Sequence, residues 1–455
     1  MKWWQLSLFG VACTIGTGYF LGSGIAIKVG GASVVLLFIL AAFGTYIVFD
    51  VLSRMTAKNP QKGSFQVYAR KAYGRWAGFS SGWVYWCSEL LIMGSQLIAL
   101  SLFTRVWLPN MPMWLLSAGY AILGITVILL GTKAFERAEH VFAVVKVSAI
   151  VMFLVIAAAA LFGWLKGNAP EPRFPATSRV MFPGGGLGTW SSFIYAFYAF
   201  GGIEIMGLMA TRLKNPQEAP KSGKIMLLLL TLIYIASLVL VLTLVPIDQM
   251  NGKDSPFQIA LNSYQIPLVP HIFNAILIVA GFSTMVASLF AVTTIMVTLA
   301  EDQDAPGIFA RKTKGKRKVP LPAIGLTSIG ISSSVFMALL LPEELFEYIT
   351  TAAGIMLLYN WLFILLSSGR LLDLSVWGKI KRFLGMGLIL AAVGGTCFHP
   401  TSRPGFWISL LFIGIIGVLT FIVELVRKNN AMVISLEFTP RSSSKLHPKK
   451  SKDEV

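Results

Sequence analysis

Long apolar segments follow one another along almost the whole chain, and only short polar connections separate them. A helix needs about 20 mostly apolar residues to cross a bilayer. The pattern therefore predicts an all-α polytopic membrane protein with about twelve transmembrane helices. The predicted spans are 5–27, 32–53, 76–106, 113–131, 138–163, 187–210, 224–245, 267–300, 321–341, 345–367, 383–399 and 404–426.

Glycines interrupt the first and the sixth of these spans. Each glycine lowers helix stability by about 1 kcal/mol relative to alanine, so both spans are predicted to break. Backbone that leaves the helix inside a membrane is tolerated where it is buried in protein or lines a polar cavity. The breaks are therefore either close helix contacts or parts of a binding site. The candidate residues are Ile15, Gly16, Thr17, Gly18, Phe200, Gly201, Gly202 and Ile203.

The two breaks occupy corresponding places in two sets of five spans. Because five is odd, the second set must lie inverted in the membrane relative to the first. Paired interruptions of this kind point to a secondary transporter whose site lies between the repeats, so we favour the binding-site interpretation. We expect repeats at 1–165 and 166–370, peripheral helices at 371–426 and a flexible cytoplasmic tail at 427–455.

Composition and charge narrow the class of protein. The 455 residues are 55% hydrophobic and 13% charged, with a mean hydropathy of +0.72, which excludes a soluble domain. The net charge of +18 comes mostly from alternate short loops. Such loops face the cytoplasm, so the charge predicts a multi-pass cell-membrane protein with both termini cytoplasmic, and it does not indicate nucleic-acid binding.

Metal or cofactor chemistry has no support in the sequence. The three cysteines lie inside apolar runs without metal-ligand spacing, and the four histidines are scattered. We predict no metal, no resident cofactor and no enzymatic activity, and we make no prediction of oligomeric state.

Helix ends give the breaks their chemistry. The N-terminal end of a half-helix presents unbonded N–H groups that attract anions, and the C-terminal end of the preceding half presents free carbonyls. We expect a substrate carboxylate at Gly16, Thr17 and Gly18. The ammonium group of the same amino acid would then meet carbonyls near Gly201 and Gly202.

Three charged residues inside spans are candidates for coupling or gating, because charges in membranes tend to be functional. Lys146 is either a proton carrier or a lysine that extends to the cytoplasmic interface. Glu204 either gates the path or holds the broken helix by a hydrogen bond. Glu89 either faces the pocket, where it would favour cationic substrates, or pairs internally with a residue such as Gln96.

Four motifs carry a family resemblance. The chain resembles the amino acid–polyamine–organocation superfamily, and within it the bacterial amino acid permeases, over nearly its full length. The motifs are Thr14–Gly24, Gly63–Arg70 with Trp76–Trp83, Phe200–Glu204 followed by Asn215–Pro216 and Ala219–Lys221, and Leu299–Pro306.

This resemblance implies the five-plus-five inverted fold of the leucine transporter with two added helices. It also implies amino acid transport, with proton coupling in many members, where a lysine of the fifth helix replaces a bound sodium ion. Lys146 falls on that position, and Ser283 or Thr284 would be its hydroxyl partner. At Arg212 the chain departs from the family, which usually has Glu there.

We therefore predict a secondary active transporter for amino acids in the lipid bilayer, proton-coupled and working by alternating access. Its default substrate is a neutral amino acid. The alternatives are an amino acid exchanger, a transporter of cationic amino acids or polyamines, and a nutrient sensor with a permease fold. The short tail, which carries no evident domain, favours transport over sensing.

Overall fold

The structure is a computed structural model that describes residues 1–165, 177–264, 266, 268–314, 318–340 and 345–437. Every regular element in these ranges is helical, which confirms the all-α class. The α-helices are α1 (Trp3–Thr14), α2 (Thr17–Phe20), α3 (Gly22–Gly30), α4 (Val34–Lys58), α5 (Phe65–Tyr73), α6 (Arg75–Arg105), α7 (Met113–Leu129), α8 (Thr132–Leu161), α9 (Ser178–Met181), α10 (Gly185–Tyr198), α11 (Ile203–Met209), α12 (Ala219–Leu244), α13 (Pro256–Asn262), α14 (Val269–Glu301), α15 (Leu321–Leu340), α16 (Leu345–Leu371), α17 (Val376–Thr396) and α18 (Arg403–Glu437).

The described residues contain 8 helical stretches that are long and apolar enough to cross a membrane. Two shorter apolar helices accompany them, at Met113–Leu129 and Leu321–Phe336. The multi-span class is thus confirmed, whereas the count of twelve and the inverted repeat stay predictions. Helix α18 continues to Glu437, beyond the predicted span end at 426. The predicted boundary at 166 and the tail from 438 onward lie outside the described residues.

Both predicted breaks are present. The first span is helical up to Thr14, leaves the helix at Ile15 (φ −72°, ψ 107°) and resumes at Thr17. The sixth span ends its first half at Tyr198 and resumes at Ile203, after a left-handed residue at Gly202. Glycine is the residue that adopts this conformation without steric penalty.

The broken spans lie at the centre of the helix bundle. Helix α1 packs against α8, α11, α12 and α14, while α10 packs against α3, α4, α16 and α17. In the stretch Ser178–Arg212, which contains the second break, 89% of the apolar window is buried, against 11% in Arg403–Lys428. The last helix is therefore peripheral and presents its apolar side chains to lipid.

Ion pairs join helices at the predicted cytoplasmic end. Arg70 of α5 lies 3.1 Å from Asp302, and Arg75 at the start of α6 lies 2.9 Å from Asp304, whose side chain is fully buried. Exposed pairs contribute at most about 1 kcal/mol each, but a buried carboxylate must keep its partner. These contacts fix α5 and α6 against the end of α14.

A close helix contact generates the first prediction. A Cβ atom added at Gly395 of α17 would lie 2.5 Å from the carbonyl oxygen of Trp190 in α10. Overpacking of this kind costs about 1–3 kcal/mol, so we expect Gly395→Ala to lower the thermal unfolding temperature of the detergent-purified protein. The control is Gly387→Ala in the same helix, where no described atom lies within 4 Å of the added Cβ. Equal unfolding temperatures for the two variants would contradict the close contact.

Candidate functional site

The two breaks touch each other. A Cβ atom at Gly202, whose φ is +107°, would lie 2.7 Å from the carbonyl oxygen of Cys13, at the end of α1. A Cβ at Gly16 would lie 2.5 Å from the side chain of Thr284 in α14. The glycines thus allow both interrupted backbones to meet each other and α14, which larger residues would prevent.

A small polar cavity lies where the breaks meet. Its volume is about 30 Å³, which is room for a water molecule or two. The lining residues from the breaks are Gly16, Thr17, Gly18, Gly201 and Gly202. The other polar lining residues are Glu89, Gln96, Tyr198, Thr284 and Ser288, together with Cys13 and Thr14 of α1. A ligand as large as an amino acid requires this cavity to expand.

Three of the predicted break residues are buried beside the cavity but do not line it. Ile15, Phe200 and Ile203 are each 0% exposed. The ring of Phe200 lies 5.1 Å from that of Tyr234 and 6.3 Å from that of Phe38, measured between centroids. These side chains form the apolar core that supports the breaks.

The first break presents open backbone donors to the cavity. Thr17 and Gly18 begin α2, so their N–H groups have no partner within the helix. The hydroxyl oxygen of Thr17 is buried and makes no hydrogen bond to any described residue. No described residue supplies a hydrogen-bond partner to these three polar groups.

In the second break, a side chain of the same span accepts a hydrogen bond from the interrupted backbone. One carboxylate oxygen of Glu204 accepts a hydrogen bond from the N–H of Gly202 at 3.0 Å, and the other accepts from Nε1 of Trp361 at 3.2 Å. Glu204 is 0% exposed. This geometry matches the structural alternative, in which Glu204 holds the broken helix.

Lys146 is bound to the first break. Its side chain is 0% exposed, and Nζ donates a hydrogen bond to the carbonyl oxygen of Ala12. An unbroken helix would have paired this carbonyl with the N–H of Gly16. The ammonium group of Lys146 thus replaces a helical hydrogen bond that the break removes, and it does not extend to the membrane interface.

Ser283 has a different partner from the expected one. Its hydroxyl donates to the carboxylate of Glu139, at 2.9 and 3.1 Å from the two oxygens, and not to Lys146. Thr284, the other candidate, donates to backbone carbonyls of its own helix. Glu139 is 0% exposed and did not enter the sequence prediction, since it lies at the predicted edge of a span. Its spacing of seven residues from Lys146, two helical turns on one face, was the signal available.

Glu89 faces the cavity with an unpaired oxygen. Its side chain is 1% exposed, and Oε2 makes no hydrogen bond within the described part of the chain. The side-chain oxygen of Gln96 likewise has no partner among the described residues. The expected internal pair with Gln96 therefore does not satisfy these atoms. The hydroxyl groups of Ser288 and Tyr85 lie near the Glu89 carboxylate, and one carboxylate oxygen is left for a ligand.

A multi-span helical protein in which two interrupted spans enclose a polar cavity has the architecture of a membrane transporter. The family model for amino acid permeases matches residues 5–438. The chain belongs to the amino acid permease family, and it is a membrane-bound transporter and not an enzyme.

Relatives within this family cover most of the chain. "Uncharacterized transporter YcgH" of Bacillus subtilis is 54% identical over 424 residues, 93% of this chain and 95% of the relative. "Aromatic amino acid transport protein AroP" of Corynebacterium glutamicum is 31% identical over 377 residues, 81% and 80% of the two chains. "Gamma-aminobutyric acid permease" of Bacillus subtilis is 29% identical over 369 residues, 81% and 78%.

The contact between the breaks generates the second prediction. Gly202→Ala adds a methyl group 2.7 Å from the Cys13 carbonyl, at a φ that alanine rarely adopts. We expect it to abolish uptake of labelled amino acids at unchanged membrane expression. Gly22→Ala is the control, because no described atom lies within 4 Å of its added Cβ. Normal uptake by the Gly202 variant would show that the site tolerates separated breaks.

Proposed function

We propose that the protein imports amino acids across the cell membrane as a proton-coupled symporter, with both termini in the cytoplasm. The observation that carries this proposal is the hydrogen bond from Lys146 to Ala12. It links a buried, ionisable group to the backbone that forms one wall of the cavity. A change of proton occupancy at Lys146 would then alter the first break directly.

The substrate carboxylate is assigned to the first break. A helix N-terminus attracts anions, and here the buried hydroxyl of Thr17 provides a second, independent donor beside the N–H groups of Thr17 and Gly18. The second break does not compete, because Glu204 already accepts from Gly202. The asymmetry between the breaks thus sets the orientation of the substrate.

The substrate ammonium group is assigned to Gly201 and Glu89, which also line the cavity. With its carboxylate and ammonium group both bound, a neutral amino acid satisfies the site. A cationic amino acid or a polyamine is the second candidate, and the unpaired oxygen of Glu89 favours it. Two of the relatives are named for aromatic amino acids and gamma-aminobutyric acid, so the family name alone does not choose the side chain.

Larger cavities on both sides of the small central one support alternating access. A cavity of about 500 Å³ lies on the predicted outer side, where Lys28 of α3 and Glu347 of α16 approach to 3.4 Å. A second cavity, of about 380 Å³, lies on the predicted inner side beside Arg212. The substrate would pass from one to the other when the closed centre expands.

The proton role generates the third prediction. Uptake of a panel of labelled amino acids into proteoliposomes is measured with and without an inward proton gradient, in which the outer medium is more acidic than the lumen. We expect the protein to accumulate substrate in response to the gradient, and Lys146→Ala to lose that response while equilibrium substrate binding stays measurable. Removing the ammonium leaves the Ala12 carbonyl without its donor in every state, so proton occupancy no longer changes the site.

The control for this experiment is Lys379→Ala, since Lys379 is exposed on the peripheral helix α17. An unchanged gradient response in Lys146→Ala would exclude Lys146 as the coupling group. Gradient-independent uptake by the unmodified protein would indicate exchange, and binding without flux would indicate a sensor.

Glu89 generates the fourth prediction. If the neutral amino acid is the substrate, Glu89→Gln weakens competition by neutral and cationic amino acids to a similar degree, because only the shared α-ammonium group loses a partner. Selective loss of lysine- and arginine-like competitors would instead establish the cationic candidate. Competition against a bound labelled substrate, measured for both classes on both proteins, distinguishes these results.

A further inference from the structure

One face of α8 carries ionisable groups at three depths. Glu136, Glu139 and Lys146 are spaced by three and seven residues, so their side chains lie on the same side of the helix. Glu139 and Lys146 are both 0% exposed. At a rise of 1.5 Å per residue, the Cα atoms of Glu139 and Lys146 are about 10 Å apart along the axis.

The two ends of this row reach the two places that a coupling proton must visit. At the end of the row that lies deeper in the membrane, Lys146 binds the Ala12 carbonyl beside the first break. At the other end, Glu136 forms an ion pair with Arg212, which lines the cavity on the predicted cytoplasmic side. Glu139 lies between them and is held by the hydroxyl of Ser283.

We propose that Glu139 is the proton acceptor through which Lys146 releases its proton toward the cytoplasmic cavity. This inference rests on the proposed proton-coupled function and assigns the route of the proton. In the transfer, an N–H bond of the Lys146 ammonium breaks and an O–H bond forms on Glu139, which leaves a neutral amine and a neutral carboxylic acid. The acid then gives the proton to solvent of the cytoplasmic cavity and returns to the carboxylate.

The surroundings of Glu139 suit this exchange. The ionisable groups that interact with it are Lys146 on its own helix and Cys13 of α1, and the Ser283 hydroxyl of α14 is its hydrogen-bond donor. The neighbours Arg137 and His140 do not share its helical face. Lys146 and Glu139, whose charges interact inside the membrane, become neutral together in the transfer. The Glu139 carboxylate that re-forms on proton release regains its counter-charge when Lys146 takes up its next proton.

The two possible roles of Glu139, a fixed counter-charge or a proton acceptor, lead to different results. Only an acceptor must gain and lose a proton in every transport cycle. Glu139→Gln keeps the shape and the hydrogen bond from Ser283 but cannot take up the proton. We expect its accumulation of labelled amino acid under a pH gradient to fall to the level measured without a gradient. Exchange of labelled for unlabelled substrate, which requires no net proton movement, should continue.

Glu139→Asp keeps an ionisable carboxyl group and should retain part of the gradient response. The matched control is Asp248→Asn, which neutralises an exposed acid on the predicted outer side and should behave like the unmodified protein. Alkalinisation of the outer medium on adding substrate measures proton uptake directly in all variants.

Gradient-driven accumulation by Glu139→Gln at the unmodified level would overturn the relay. Loss of accumulation and exchange together in both the Gln and the Asp variants would also overturn it, since it would assign Glu139 a structural role. Both results can be distinguished from failure of the proposed proton-coupled function. In that case the unmodified protein itself shows no response to the pH gradient.

Discussion

Every backbone polar group at membrane depth needs a partner, and this requirement shapes the centre of the protein. The break after Thr14 removes helical hydrogen bonds from α1, and one of the freed carbonyls, that of Ala12, is taken by Lys146. The break before Ile203 exposes the N–H of Gly202, which Glu204 accepts. Two buried charges thus act first as substitutes for missing helical hydrogen bonds. Their positions follow from where the helices are interrupted.

The two breaks are alike in sequence but differ in which backbone N–H groups lack a hydrogen-bond partner. Glu204 accepts from the N–H of Gly202 in the second break, whereas no described side chain caps the N–H groups of Thr17 and Gly18 in the first. A cavity lined both by open backbone donors and by the Glu89 carboxylate is complementary to a zwitterion. Lys146 binds the backbone of α1 just before this open break, so under the proposed function the proton and the substrate carboxylate would influence each other through a short backbone segment.

The buried helices surround the central cavity, and the exposed helices face lipid. The interrupted spans are enclosed by α4, α8, α12, α14 and α16, and close contacts such as Gly202 with Cys13 leave no room for side chains. The last helix is largely exposed to lipid. Rigid packing around a cavity of about 30 Å³ means that substrate entry must move whole helices, because tightly packed interiors do not deform continuously. The ion pairs at the end of α14 are contacts that such a movement would have to break or carry with it.

The sequence by itself determined the class of protein, the two breaks and the family. These features depend on local composition: the length of apolar runs, glycines within them, and motifs such as Phe200–Glu204. It also singled out Lys146, because a lysine inside an apolar span is conspicuous. The tertiary structure decided the partners. It pairs Ser283 with Glu139 and directs Phe200 into the core. Contacts of this kind depend on the rotation and crossing of helices distant in sequence, which hydrophobic periodicity leaves open when a helix is apolar on every face.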